Sequence, residues 1–134
     1  MQEKKIVVHM KGGNIRKGVT HDFTPQSESF HLLPAEGGGV PYRVKMDDMK
    51  ALFYVKDYLG NRDFNARKEF EGVKHTSRKA IVLFNDGEEI WGYQAEDQPD
   101  DQLGFFFYPA DEKDNNLQIF IIRSATKEIR EVSS

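Results

Sequence analysis

Asn85-Asp86-Gly87-Glu88-Glu89-Ile90-Trp91-Gly92 decides the fold, because it restates Lys11-Gly12-Gly13-Asn14-Ile15-Arg16-Lys17-Gly18. An offset of 74 residues carries Gly13 onto Gly87, Gly18 onto Gly92 and Pro25 onto Pro99. One inserted residue later, an offset of 75 carries Phe30 onto Phe105, Pro34 onto Pro109 and Ala35 onto Ala110. Further gaps bring Val44 onto Ile121, Lys50 onto Lys127 and Leu52 onto Ile129. A correspondence this long points to an architecture built twice. Each unit, about 55 residues, is near the lower limit for a self-sufficient core. The two are therefore expected to pack together or to share strands.

Within each unit the apolar runs are short, β-branched and separated by turn residues. The first unit reads as strands over Ile6–Met10, Ile15–Phe23, Ser29–Leu33, Val40–Lys45 and Lys50–Lys56, with a tight turn at Met46-Asp47-Asp48-Met49. The second reads as Arg78–Phe84, Glu88–Glu96, Leu103–Pro109, Leu117–Arg123 and Lys127–Val132. Gly18 and Gly92 fall inside strands, where glycine marks a bend or a close backbone approach. Such bends close a very small barrel. The expected fold is mainly β, with two tandem five-stranded antiparallel small barrels packed together. The expected organisation is a first barrel over 1–57, a charged linker over 58–77 and a second barrel over 78–134. Within the linker, Asp63 is placed to cap a short helix over Phe64–Glu71, ended by Gly72.

Composition excludes several classes of function. The 134 residues contain no cysteine, which removes disulfides, thiol chemistry and Cys-ligated metals. That fits a reducing cytoplasm. The N-terminus Met1-Gln2-Glu3-Lys4-Lys5 leads into no long apolar run, so no signal peptide and no membrane span are expected. The net charge of −3 conceals an asymmetry. Residues 1–70 carry 12 basic and 9 acidic side chains, and the remainder carry 7 and 13. A phosphate backbone would avoid the acidic stretch between Asp86 and Asp114.

Catalytic and metal-binding constellations are not visible. His9, His21, His31 and His75 lack zinc spacing. His21, Asp22 and His31 meet only if the second and third strands pair, and ordinary strand histidines are the expectation there. Gly37-Gly38-Gly39 has no following Lys-Ser/Thr and reads as a hairpin loop. Asp47-Asp48 and Asp100-Asp101 are adjacent on turns, where neighbouring side chains point apart. Asp111-Glu112-Lys113-Asp114-Asn115-Asn116 lacks the glycine and distal glutamate of a calcium loop. The expectation is a non-enzymatic, cytoplasmic bacterial module with no cofactor and no metal.

Aromatic residues are the suggestive class. Phe105-Phe106-Phe107-Tyr108 has large apolar side chains on both faces, and Trp91 and Tyr93 share a face of the preceding strand. One face of the run fills its own unit. The other needs cover, from the sister unit or from a partner. Trp91, Tyr93, Phe106 and Tyr108 are therefore candidate partner-binding residues, for another protein or for self-association.

The residues also carry resemblances. Phe84-Asn85-Asp86-Gly87 through Gly92 resembles the first motif of Sm-like proteins, and Ile119-Phe120-Ile121-Ile122-Arg123-Ser124 resembles their last two strands. That resemblance implies five-stranded small barrels and single-stranded RNA binding, with Arg123 in the family's Arg-Gly turn. Ser124 stands in place of the glycine, and the loop asparagine of the family is absent from both units. The first unit resembles a PilZ domain around Gly18-Val19-Thr20-His21-Asp22-Phe23-Thr24, which implies cyclic di-GMP binding through Asp22 and Thr24. The upstream Arg pair of that family is absent. Arg62, Arg67 and Lys68, in the locally basic linker, complete the alternative nucleotide or nucleic-acid site. The whole arrangement resembles an uncharacterised family of bacterial domains. That resemblance rests on Leu52-Phe53-Tyr54-Val55-Lys56-Asp57 followed by Gly60-Asn61, and on the proline-ended third strands.

Overall fold

A computed structural model describes residues 4–35, 39–56, 78–95, 103–110 and 116–132. The expected linker and its short helix lie outside the described residues. The first half contributes β1 (Ile6–Met10), β2 (Ile15–Val19), β3 (Ser29–Pro34), β4 (Tyr42–Lys45) and β5 (Met49–Val55). The second contributes β6 (Arg78–Phe84), β7 (Glu89–Gln94), β8 (Gly104–Pro109), β9 (Asn116–Ile122) and β10 (Thr126–Glu131). One turn of 3₁₀ helix, Met46–Asp48 or Arg123–Ala125, precedes the last strand of each half.

These strands hydrogen-bond into one ten-stranded sheet in the order β10-β6-β7-β8-β9-β5-β1-β2-β3-β4. Every ladder is antiparallel. The expectation of a mainly β fold holds; in place of two tandem five-stranded barrels packed together, the described strands form a single continuous sheet that is not closed. The cause is a direct ladder between the halves, in which Ala51, Leu52 and Phe53 of β5 face Ile121, Phe120 and Ile119 of β9. Backbone groups of β5 that would sit on the edge of an isolated barrel are satisfied by β9 instead.

The local devices occur in both halves. The Met10 amide donates to the Asn14 carbonyl at 2.9 Å, and the Phe84 amide to the Glu88 carbonyl at 2.8 Å. The Ala35 amide donates to the Lys17 carbonyl at 3.0 Å, and the Ala110 amide to the Trp91 carbonyl at 2.9 Å. Gly13 and Gly87 hold φ of 97° and 94° in their hairpin turns, a region that side-chain-bearing residues rarely enter. Gly18 and Gly92 answer a different need. A Cβ on Gly18 would stand 2.0 Å from the Leu33 carbonyl oxygen, and one on Gly92 2.0 Å from that of Tyr108. The strand therefore crosses its neighbour at a distance that only glycine permits.

The second strand is shorter than expected, ending at Val19 instead of Phe23. Asp22 takes the chain away, because its carboxylate accepts the Thr20 hydroxyl at 3.1 Å and the His31 amide at 2.9 Å. Phe23 then folds back over the join. Its ring meets Phe30 and Phe120 edge-on, with centroids 5.2 Å apart in both cases. Phe120 belongs to the second half and also meets Phe106 at 5.0 Å. One buried cluster thus contains residues of both halves, from Ile6 and Val8 to Phe105 and Ile122.

Gly18→Ala and Gly92→Ala are each expected to destabilise the fold by about 1–3 kcal/mol or more, through overpacking against backbone. Gly12→Ala, which meets nothing within 4 Å, is the control and is expected to change little. Urea unfolding followed by the fluorescence of Trp91 measures all three. The wild-type chain is expected to unfold in one transition, since Phe120 lies in the core of both halves; two resolved transitions would contradict that account.

Candidate functional site

Two groups of side chains lie along the β5–β9 join, one toward each end of β5. The first begins with Lys50, whose neighbours in sequence are apolar. Its side chain is 11% exposed, and its ammonium lies 4.5 Å from the Phe84 ring centroid. The ammonium donates to Asp86 Oδ2 at 2.7 Å and also to Glu88 Oε1. Both acids belong to the β6–β7 turn, so the bond fastens the first half to the second. Lys11 does the same in parallel, donating to Ser124 Oγ at 2.7 Å.

Burial alone would push the Lys50 ammonium down, but its hydrogen bonds and charge attraction to Asp86 and Glu88 outweigh burial and hold it above the usual lysine range. Asp86 is held below the usual carboxylate range, first by the Lys50 hydrogen bond and then by the Glu88 amide. His9 lies near the same acids, with its ring 4.6 Å from that of Phe53. Burial pushes its imidazole down, against the pull of Glu88 and Asp86. Among the described residues no three His, Asp or Glu side chains are placed to hold a metal ion. The group is a clamp between the halves.

The second group is a row that crosses the join. Tyr54 on β5 faces Gln118 on β9. Gln118 donates through Nε2 to the Tyr108 hydroxyl of β8 at 3.1 Å. Tyr108 in turn faces Tyr93 on β7. Beside this row is a cavity of about 340 Å³, lined by Lys4, Lys5, Tyr54, Val55, Lys56, Leu117 and Gln118. Lys4 Nζ lies 5.4 Å from the Tyr54 ring centroid. Burial pushes the Tyr54 hydroxyl above the usual tyrosine range. Tyr108 and Leu117 are 36% and 55% exposed. The lining thus combines an aromatic ring, apolar side chains and three lysines.

The residues expected from sequence divide between exposed and buried places. Tyr108 joins the cavity row. Tyr93 is in the same row but buried, at 1% exposure. Trp91 is half-buried and donates its indole N–H to Glu89 Oε1 at 2.8 Å. Phe106 packs on Phe120, its opposite number in the β8–β9 ladder. Of the alternative nucleotide site, Asp22, Thr24 and Arg123 lie among the described residues. Asp22 is engaged by the His31 ring at 2.7 Å, which with the His31 amide holds its carboxyl below the usual range. The Thr24 hydroxyl is hydrogen-bonded to Ser27 at 2.6 Å. Arg123 stacks over the Phe105 ring at 4.9 Å. Arg62, Arg67 and Lys68 lie outside the described residues.

Lys50, Tyr54 and Gln118 were not among the expected site residues. A lysine inside Met49-Lys50-Ala51-Leu52-Phe53, with a turn holding Asp86 and Glu88 elsewhere, was the available signal for the clamp.

The fold defines an all-antiparallel β protein with its candidate site on the join of two five-stranded halves. Residues 2–133 match the model of a family of unknown function, DUF6982, and the chain belongs to that family. No curated protein and no solved structure matches it. The Sm-like and PilZ-like resemblances rest on the sequence motifs alone. No helix among the described residues is long and apolar enough to cross a membrane.

The clamp has a pH signature. Asp86 is depressed in the folded chain, so its contribution is complete above the unfolded carboxylate value of about 3.9 and is lost as pH falls through its lower folded value. Lys50 is raised, so its contribution is complete below the unfolded value of about 10.4 and is lost as pH rises through the higher folded value. Between about pH 6 and about pH 3, the urea midpoint is expected to fall more steeply for wild type than for Lys50→Met. Identical slopes would rule out the coupling. At neutral pH the double change Asp86→Ala, Glu88→Ala is expected to cost about 1–3 kcal/mol, by stranding a nearly buried ammonium. The lower end applies because both acids stand half in water.

Proposed function

We propose that the protein is a non-enzymatic, intracellular interaction module whose docking surface is the cavity on the β5–β9 join. The carrying observation is a cavity lined by Tyr54, the exposed Leu117 and Lys4, Lys5 and Lys56, next to Gln118, which donates to the exposed Tyr108. Tyrosine is a favoured interface anchor because it offers a large ring with little rotamer entropy to lose. The lysines would select a partner segment that carries carboxylates beside apolar side chains. Catalysis finds no support along the rest of the join, toward the other end of β5. Its acids and lysine are spent on the clamp, and the Asp22–His31 pair lies at the surface with no cavity beside it among those described.

The same lysines favour a second reading, a small anionic ligand such as a cyclic dinucleotide or a short single-stranded RNA. One experiment separates the two. A photo-crosslinking residue introduced at Leu117 is expected to capture a defined protein in cells, and capture is expected to vanish when Tyr108→Ala and Lys4→Glu are added. Cyclic di-GMP and a short RNA, titrated at low and at high salt, are expected to show no saturable binding. Saturable binding at low salt with no protein captured would replace the interaction reading with the anionic-ligand one, since an electrostatic site is strongest there.

A further inference from the structure

The join between the halves pairs the fifth strand of one with the fourth strand of the other. The terminal strands of the sheet, β10 and β4, are the same two strand types. An offset of 77 residues carries Met46–Asp48 onto Arg123–Ala125, and so β5 onto β10 and β4 onto β9. Laying β10 of one molecule on β4 of another, in the register of the β5–β9 ladder, would set Glu128 opposite Val44, Ile129 opposite Arg43 and Arg130 opposite Tyr42. Each molecule would then present one edge of each kind. Such a head-to-tail contact either closes into a ring or runs on as a filament.

The two strand types differ in side chains according to where they lie. At the join they read Ala51, Phe53 and Tyr54 on β5, and Phe120 and Ile122 on β9. At the edges the same places hold Glu128, Arg130 and Glu131 on β10, and Arg43 and Lys45 on β4. All five edge residues are exposed. Arg130 pairs with Glu128 at 3.2 Å and Glu131 with Arg78 at 3.0 Å, so these charges are tied to their own sheet. Pairing the edges would strip water from them and bring Lys127 opposite Lys45, a like-charge contact. β4 is also only four residues long. Short edge strands bearing charge are how sheets avoid edge-to-edge association.

We infer that the charges on β4 and β10 are guards against a second copy of this chain, and that the two edges keep the geometry to pair head to tail once the guards are exchanged. The test uses two variants, each with one edge converted to its counterpart at the join: Glu128→Ala with Arg130→Phe on β10, and Arg43→Phe with Lys45→Ile on β4. Light scattering after size exclusion is expected to give a monomer for wild type and for each variant alone. Mixed in equal amounts, the variants are expected to form a one-to-one dimer and stop there, because each still carries one guarded edge. A chain with both edges converted is expected to assemble further as concentration rises. Should the phenylalanine variants fail to fold, Glu128→Ala and Lys45→Ala, mixed in the same way, carry the test with weaker dimerisation expected. An oligomeric wild type overturns the inference, and so does a mixture of folded variants that stays monomeric.

Discussion

The rest of the molecule depends on the ladder between β5 and β9. By pairing with β1 on one side and β9 on the other, β5 becomes an interior strand of the sheet. That position explains its side chains, since Met49, Ala51, Leu52, Phe53 and Val55 are all buried. An interior strand with both faces covered reads as a nearly continuous apolar run, and one with a solvated face alternates. The same ladder brings Phe120 against Phe23 and gives two small units a single core. Neither unit, at about 55 residues, would bury enough surface to be comfortably stable alone.

The join also places the polar features. Toward one end of β5 it carries the lysine clamp, and at the other the row Tyr54, Gln118 and Tyr108 with its cavity. Burying an ammonium is costly, and an ion pair near the surface repays only part of that cost. The clamp is better understood as fixing register and orientation between the halves. Slipping the β5–β9 ladder by one residue would carry Lys50 away from Asp86 and Glu88 and turn its side chain to the other face. Charge is used in the opposite sense on the outer strands, where it keeps backbone edges in water. Apolar strands where the halves meet and charged strands where they end are two settings of one strand design.

Much of the fold was legible in the residues. All ten strands were anticipated, and the turn and bend glycines fell where the backbone needs φ above zero or a close crossing. Boundaries were legible where apolar alternation ran into Gly, Pro or Asn. They failed at Val19, because an aspartate hydrogen-bonding a residue nine positions away leaves no trace in local alternation. The candidate site was partly legible. Tyr108 was anticipated from an aromatic run too large for one face. Tyr54 was not, since nothing near it in the chain shows that Gln118 and Lys4 lie beside it.

Sequence by itself determined the strands, the duplicated turns and the absence of thiol chemistry, because these depend on neighbours within a few residues. The tertiary structure alone decided which strands join, so that the two halves form one continuous sheet through β5 and β9. Strand edges present the same N–H and C=O groups whatever their side chains, so which edges meet is settled only when apolar faces compete for cover. That competition put Phe120 under Phe23, enclosed Lys50 with Asp86 and Glu88, and left Tyr108 and Leu117 at the surface of the join.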